Sequence, residues 1–514
     1  MEETRRSAII KEELRSTFSH PTLKIFYSIP ESVEEFTKPC GRFKSTLSFA
    51  EKFELRVANL LGNWDIFKNM TVIPQYTIKP NWQVLLNYLF QQGIIAEPKF
   101  SAEEQRNDFA RFNRVSLSSK INSTTTGAHT MHGYGTSTHA EEAYSKAVGE
   151  LLERYFLASY KKKKLLRGSY NSLTRQGKKV LDLDTLPGFL PWQKETFKQY
   201  QYDKDSLFNW IQVQELVSKK RSYVPAQLIF WRYGFDATPT EPRLKELNTN
   251  GQAGGFTRTE SILSAIYETV ERDAFLIFWL NTLSAPVLDI SQIEDPEIQK
   301  FVTLIERYGI RMYVLDTTTD IAIPSCTSVL LDERGSQPRV TVGSSSGFNM
   351  QRNIFSSTIE ALGGAAFFKG RFELSREYQP FIEADIGQRE RVHVWEGRDM
   401  LEKFNFFISG EKVPLHESTF GKLSRTFESK EEEYEHVLDI FRQKGKGYEV
   451  YAHTVKHPVL TKLGYYVTKV VIPALLPMYL KEHFAPLDSP RLRDVPAALG
   501  YKNTTLNPWP HPFP

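Results

Sequence analysis

A chain of 514 residues is long enough for roughly two to four domains, or for one large catalytic domain with additions. With 40% hydrophobic, 25% charged and 13% aromatic residues it sits among folded globular proteins, outside the disordered, collagen-like and disulfide-stapled classes. A net charge of +4 gives no ground for a nucleic-acid surface, and two cysteines, Cys40 and Cys326, without a CxxC pair exclude a disulfide framework and a thiolate zinc site.

The two cysteines, with no CxxC pair, fit a reducing cytoplasm, and the N-terminus alternates acidic and basic residues and lacks the apolar core of a secretory signal. Residues 1–100 read as a small N-terminal module without a catalytic cluster. The polar run Asn122-Ser123-Thr124-Thr125-Thr126-Gly127 reads as a loop leading into a main domain over 101–500. Within that domain amphipathic helices alternate with β-branched runs such as Arg339-Val340-Thr341-Val342, which makes the fold class α+β. The most apolar stretch, 464–480, contains Lys469, Pro473 and Pro477 and is expected to be a buried strand and a turn, not a membrane span. Residues 501–514 form a separate tail. Its alternating Pro508, Pro510, Pro512 and Pro514 enforce an extended polyproline conformation with few backbone donors.

An internal repeat carries the chemistry. Residues 132–156 align without a gap on 250–274 at an offset of 118, with six identities: Gly133/Gly251, Glu142/Glu260, Ala147/Ala265, Glu150/Glu268, Glu153/Glu271 and Arg154/Arg272. In both copies a glycine lies 17 residues before the first glutamate of Glu-x-x-Glu-Arg. A fainter third copy has Gly343 at the same spacing from Glu360, with Gly363 and Gly364 in place of the Glu-Arg pair. The repeat is read as a glycine-containing turn followed by a helix, used three times. At ~100° per residue, Lys146, Glu150, Glu153 and Arg154 share one stripe of their helix while Val148, Leu151, Leu152 and Phe156 occupy the other. Taken alone, such an i,i+4 Glu–Arg pair is a surface pair worth only a few tenths of a kcal/mol. Two copies at fixed spacing from a glycine argue for more. Carboxylates converging from related helices repel unless cations separate them, and hard oxygen donors suit magnesium, which usually brings phosphates. Arg154 and Arg272 are then placed to neutralise phosphate, and Gly133-Tyr134-Gly135 and Asn250-Gly251-Gln252-Ala253-Gly254-Gly255 to let backbone N–H groups approach it. No Walker loop and no protein-kinase motif set is present.

These two glycine segments, with Ser145-Lys146-Ala147-Val148-Gly149-Glu150-Leu151-Leu152-Glu153-Arg154 and Ala265-Ile266-Tyr267-Glu268-Thr269-Val270-Glu271-Arg272-Asp273, resemble the YcaO family of ATP-dependent enzymes that modify backbone amides. The resemblance spans residues 110–500 and implies a YcaO fold whose pseudo-repeated units surround an ATP site. It implies ATP and Mg as ligands, with Glu150, Glu153, Glu268 and Glu271 as the metal carboxylates. Gly133, Gly135, Lys146, Glu150, Asn250, Gly251, Glu260, Glu268 and Arg272 are implied at the nucleotide, with Arg154 and Arg272 as catalytic groups. Tyr134 stands where members often carry Lys, and Gly364 where they carry Gln. A Pro-x-Pro-x-Pro terminus resembles that of family members that form azolines in ribosomal peptides, implying that Pro510, Pro512 and Pro514 reach the active site. His511 or the terminal carboxylate is then a candidate base.

The implied reaction is cyclodehydration of Cys, Ser or Thr of a precursor peptide to thiazoline or oxazoline, in a bacterial cytoplasm. Implied partners are a separate leader-binding protein of ubiquitin-activating or ThiF-like type, with residues 1–100 as a docking module, a flavin-dependent dehydrogenase, and a second copy of the chain as a homodimer. The alternatives are YcaO-type thioamidation and a non-catalytic scaffold subunit. His132 and His139 are expected to support the first glycine segment, and Arg491 and Arg493 are further candidates for phosphate.

Overall fold

The computed structural model describes residues 80–104, 113–123, 127–137, 139–237, 240–293, 295–307, 309–332, 339–367, 390–391, 394–395 and 400–513. All belong to one compact unit, 48–514. Three sheets carry the fold. The first is antiparallel: β1 (Ser101–Glu104), β2 (Asn113–Ser123) and β3 (Gly127–Ser137), in that order. The second contains β4 (Leu166–Ser169), β5 (Leu207–Glu215), β6 (Arg221–Pro225), β7 (Gln252–Gly255), β13 (Tyr451–Thr454) and β14 (Tyr466–Val471), in the order β4-β5-β13-β14-β7 with β6 paired to β5. The third runs β11-β10-β9-β8-β12, from β8 (Val287–Asp289), β9 (Ile310–Asp316), β10 (Ser325–Asp332), β11 (Val340–Ser346) and β12 (Lys412–Pro414).

Each copy of the repeat supplies one sheet with an edge strand and the helix that follows it. The pairs are β3 with helix Ala140–Ala158, β7 with helix Arg258–Leu280, and β11 with helix Met350–Phe367. The first motif helix also packs on β7, the second on β11 and the third on β3, so the three units close on one another in a ring. Apolar stripes hold them there. Val148, Leu151 and Leu152 enter one core cluster, and Ile262, Ile266 and Val270 another with Val437, Leu438 and Phe441. Helix Pro80–Gln91 lies before the boundary expected at residue 100, yet Trp82, Leu85, Leu86 and Leu89 share the first of these clusters.

Two local expectations change. Asn122, Ser123 and Gly127, expected in a loop, instead pair in the antiparallel ladder of β3 with β2, which runs from the pair Asn113 and Ser137 to the pair Ser123 and Gly127, and 124–126 lie outside the described residues. The alternation of β2 is carried by serines, with Val115, Leu117 and Ser119 buried and Ser116 and Ser118 half-buried. Gly133-Tyr134-Gly135 is strand and not turn. A Cβ at Gly133 or Gly135 would run into the carbonyl oxygens of Ala147 and Ala143, and one at Gly343 into that of Ser357, so these glycines let helix backbone lie against strand. Gly343→Ala should therefore destabilise the chain by about 3 kcal/mol, read as a lowered midpoint of chemical unfolding.

The apolar stretch near 470 is strand β14, as its β-branched run predicts, and no helix among the described residues is long and apolar enough to cross a membrane.

Candidate functional site

The 17-residue spacing has one structural meaning in all three copies. The amide following the motif glycine points off the free edge of its strand and donates to the first glutamate of the following helix. Tyr134 N donates to Glu150 Oε2, Gln252 N to Glu268 Oε2 at 3.1 Å, and Ser344 N to Glu360 Oε2 at 3.0 Å. Gly251, held at φ 71°, adds a second donor to Glu268 at 2.9 Å. A strand edge leaves alternate N–H groups unpaired, and here carboxylates occupy them.

Two further contacts join the copies. Glu153 Oε1 accepts from Gly254 N at 2.6 Å, crossing from the first motif helix to β7. Arg272 lies 3.4 Å from both Glu271 and Glu360, crossing from the second helix to the third. Arg154 pairs with Glu150 at 2.6 Å and donates to the His132 carbonyl at 2.5 Å. Five glutamates thus face one another around two arginines. Burial raises the pKa of Glu150 and Glu268, opposed by Arg154 and Arg272 respectively. Burial pushes Glu153 well above the carboxylate range, with the charges of Glu150 and Glu268 adding to it, and does the same to Glu271, where Arg272 opposes and Glu360 and Glu268 add.

The tail reaches this cluster at Phe513. From Thr505 it runs back along the second motif helix: Asn507 N donates to Leu280 O at 2.9 Å, Trp279 Nε1 to Trp509 O at 3.2 Å, and Trp395 Nε1 to Pro510 O at 3.1 Å. Pro510, His511, Pro512 and Phe513 are buried. The Phe513 ring lies 4.7 Å from Phe275, and the Arg272 guanidinium stands over it at 4.5 Å. Pro514 lies outside the described residues. His511, the candidate base, is buried and bonds through Nε2 to the Tyr479 carbonyl at 3.0 Å. Burial, then Arg391, holds its pKa well below the ordinary value.

The donor set fits magnesium with phosphates. Glu153 Oε2, Glu268 Oε1 and Glu271 Oε2 take no hydrogen bond among the described residues, and all are hard oxygens. Among the described residues no three His, Cys, Asp or Glu are grouped to hold a metal by themselves. Magnesium bound through one or two carboxylates and completed by phosphates and water requires no such cage.

Residues 134–476 match the YcaO family, described as YcaO cyclodehydratase, ATP- and Mg2+-binding. The chain belongs to the YcaO family.

A curated relative, an uncharacterized protein in the tfuA 3' region of Rhizobium leguminosarum bv. trifolii, is 30% identical over 125 residues, 24% of this chain and 29% of that protein. An uncharacterized protein of Methanothermobacter thermautotrophicus is 28% identical over 132 residues, 25% of this chain and 33% of that protein. The matches therefore span less than two thirds of either relative. Among solved structures, a heterocyclase in complex with substrate and cofactor superposes with a TM-score of 0.64 at 18% identity, covering 87% of this chain and 59% of that one. YcaO from Methanopyrus kandleri bound with AMPPCP and Mg2+ gives 0.54 at 16%, covering 77% and 91%. The heterocyclase TruD gives 0.54 at 17%, covering 90% and 70%. At such identities the likeness is one of fold, the YcaO fold.

Within it, Glu150, Glu153, Arg154, Glu268, Glu271 and Arg272 are brought together; Gly251 joins them by its own N–H to Glu268, and Asn250 through Lys469, whose Nζ donates to Asn250 O. The other expected residues are held by other partners. Lys146 lies 3.1 Å from Glu142. Glu260 caps its own helix, accepting from Phe256 N at 3.2 Å and Thr257 N at 3.1 Å. Gly133 and Gly135 serve strand–helix packing. His132 Nδ1 lies 3.1 Å from Ser118 Oγ, its register partner on β2, so this contact is cross-strand where support of a glycine loop was expected. Arg491 is buried, 2.6 Å from Asp273 and 2.9 Å from Asp320, a structural hub and not a phosphate contact; Arg493 is exposed beside Asp494. Sequence reasoning gave no place to Lys245, which lines a cleft with Asn250, Thr269 and Arg272, or to Lys469, which reaches Asn250 O. A lysine in the middle of the β-branched run 466–472 was the available clue to the second.

Proposed function

We propose that this chain is a Mg- and ATP-dependent cyclodehydratase acting on Cys, Ser or Thr of a ribosomally made peptide. The observation that carries the reading is the carboxylate–arginine centre with the tail seated against Arg272. Its likeness in fold to heterocyclases supports it.

In this reading the thiol or hydroxyl adds to the preceding amide carbonyl, forming a tetrahedral hemiorthoamide. Bound Mg-ATP supplies the phosphoryl group that makes the amide-derived oxygen a leaving group. Loss of phosphate and of the amide proton closes a C=N bond, and the peptide is lighter by one water. The chain's own work is positioning and charge neutralisation, which requires no protein nucleophile. Arg154 and Arg272, each already fixed by a carboxylate, present guanidiniums to developing phosphate charge. Glu150, Glu153, Glu268 and Glu271 would surround the magnesium and its phosphates, one or two of them on the metal itself, and Phe513 would shield Arg272 from water. The precursor's leader is held by a separate protein, with residues 1–100 docking it, in a bacterial cytoplasm.

The test is mass spectrometry of a candidate precursor incubated with magnesium, ATP, the partner protein and the full chain. Loss of one water per modified residue is the expected result. A gain matching exchange of oxygen for sulfur would replace this reading with thioamidation, and no change with a verified partner would favour a scaffold.

A further inference from the structure

Gln252 is 6% exposed, and neither its Oε1 nor its Nε2 has a hydrogen-bond partner. Burying an amide with both ends unpaired costs stability, and native chains retain such groups where a ligand completes them. The neighbours of Gln252 say what that ligand is. Its own backbone N–H is bound by Glu268, one of the candidate metal carboxylates. Across the strand pair its register partner is Lys469, so the two side chains share one face of the sheet, and Lys469 is 1% exposed. Lys245 lies close enough to Glu268 and Lys469 to feel both charges, and it makes no hydrogen bond or ion pair among the described residues. It lines a narrow cleft of about 40 Å³ together with Asn250, Thr269 and Arg272.

A phosphate alone would satisfy Nε2 and leave Oε1 unpaired. Magnesium usually keeps several of its waters when it binds phosphates, so a hydrated metal–phosphate group offers an acceptor and a donor side by side. We infer that Gln252 is a ligand-contacting residue of the Mg-nucleotide site, donating through Nε2 to a phosphate oxygen and accepting through Oε1 from a metal-held water, with Lys245 supplying charge beside it. The inference rests on the nucleotide reading of this site.

The experiment is titration of the full chain with magnesium and a non-hydrolysable ATP analogue, alongside melting curves of the ligand-free protein, for the native chain, Gln252→Leu, Gln252→Met and Lys245→Met. Apolar groups of similar size remove the unpaired amide, so the ligand-free Gln252 variants should melt at or above the native temperature while their affinity for the analogue falls by about tenfold or more. Affinity equal to that of the native chain in both Gln252 variants overturns the assignment, whatever their melting temperatures. A native chain that binds no analogue with magnesium overturns the nucleotide reading, and this inference with it.

Discussion

Glu268→Gln should abolish the rise in melting temperature that magnesium and ATP give the native chain. At a ligand concentration 100 times its Kd that rise reflects about 2.7 kcal/mol, so its loss is readily measured. Glutamine keeps an acceptor for the amides of Gly251 and Gln252 but removes the charge that a metal requires. The ligand-free variant should hold its shape, and at pH 7 it should melt higher than the native chain. Burial raises the Glu268 pKa, against the opposing charges of Arg272 and Lys469. A carboxyl raised in the folded state lowers stability above that pKa and regains it as the pH falls through it. The advantage of glutamine should therefore shrink toward acid pH. Glu431→Gln, at an exposed position, is the control that leaves the ligand-dependent rise intact. If Glu268→Gln keeps the full rise, the glutamates of the repeat do not hold the ligand.

The same carboxylate shows what the sequence made legible. The spacing between Gly251 and Glu268 is a short-range property, set by how far a strand amide lies from the helix that folds back over it, and it survives in three copies for that reason. Even the third copy, without its Glu-Arg pair, keeps the bond from Ser344 to Glu360, and Arg272 of the second copy reaches across to that glutamate. What the sequence hid depends on contacts from far along the chain. Lys469 comes from β14, and nothing local marks it as a neighbour of Asn250. Glu433 follows exposed Glu431 and Glu432 in an acidic run that by itself suggests a solvated helix face, but the Tyr267 hydroxyl donates to it at 2.6 Å and it is buried. Arg491 carries a charge that suits phosphate equally well, and only its packing on Asp273 and Asp320 shows that the charge is already matched. Gly133 reads as a turn residue because glycine is common in turns, and the approach of Ala147 to it is visible only once the helix is in place.

The tail tests whether the centre depends on its cover. A chain ending after Asn507 should lose at least a hundredfold in turnover, because Arg272 would lose the Phe513 ring and the motif helix would expose Phe275 and Trp279 to water. That deletion also removes buried Phe513, whose loss alone as Phe513→Ala should cost about 3 kcal/mol of stability. Phe513→Leu separates the two effects. Leucine fills most of the same space beside Phe275, so stability should fall by less than about 1.5 kcal/mol, while the guanidinium loses an aromatic face worth up to about 2 kcal/mol when desolvated. Steady-state kinetics on the precursor peptide should then show kcat reduced severalfold with the KM for peptide nearly unchanged, since the ring acts on Arg272 and not on the peptide's own binding. Equal falls in kcat and in folded fraction would assign Phe513 to the core alone. An unchanged kcat in the chain ending after Asn507 would detach the tail from catalysis.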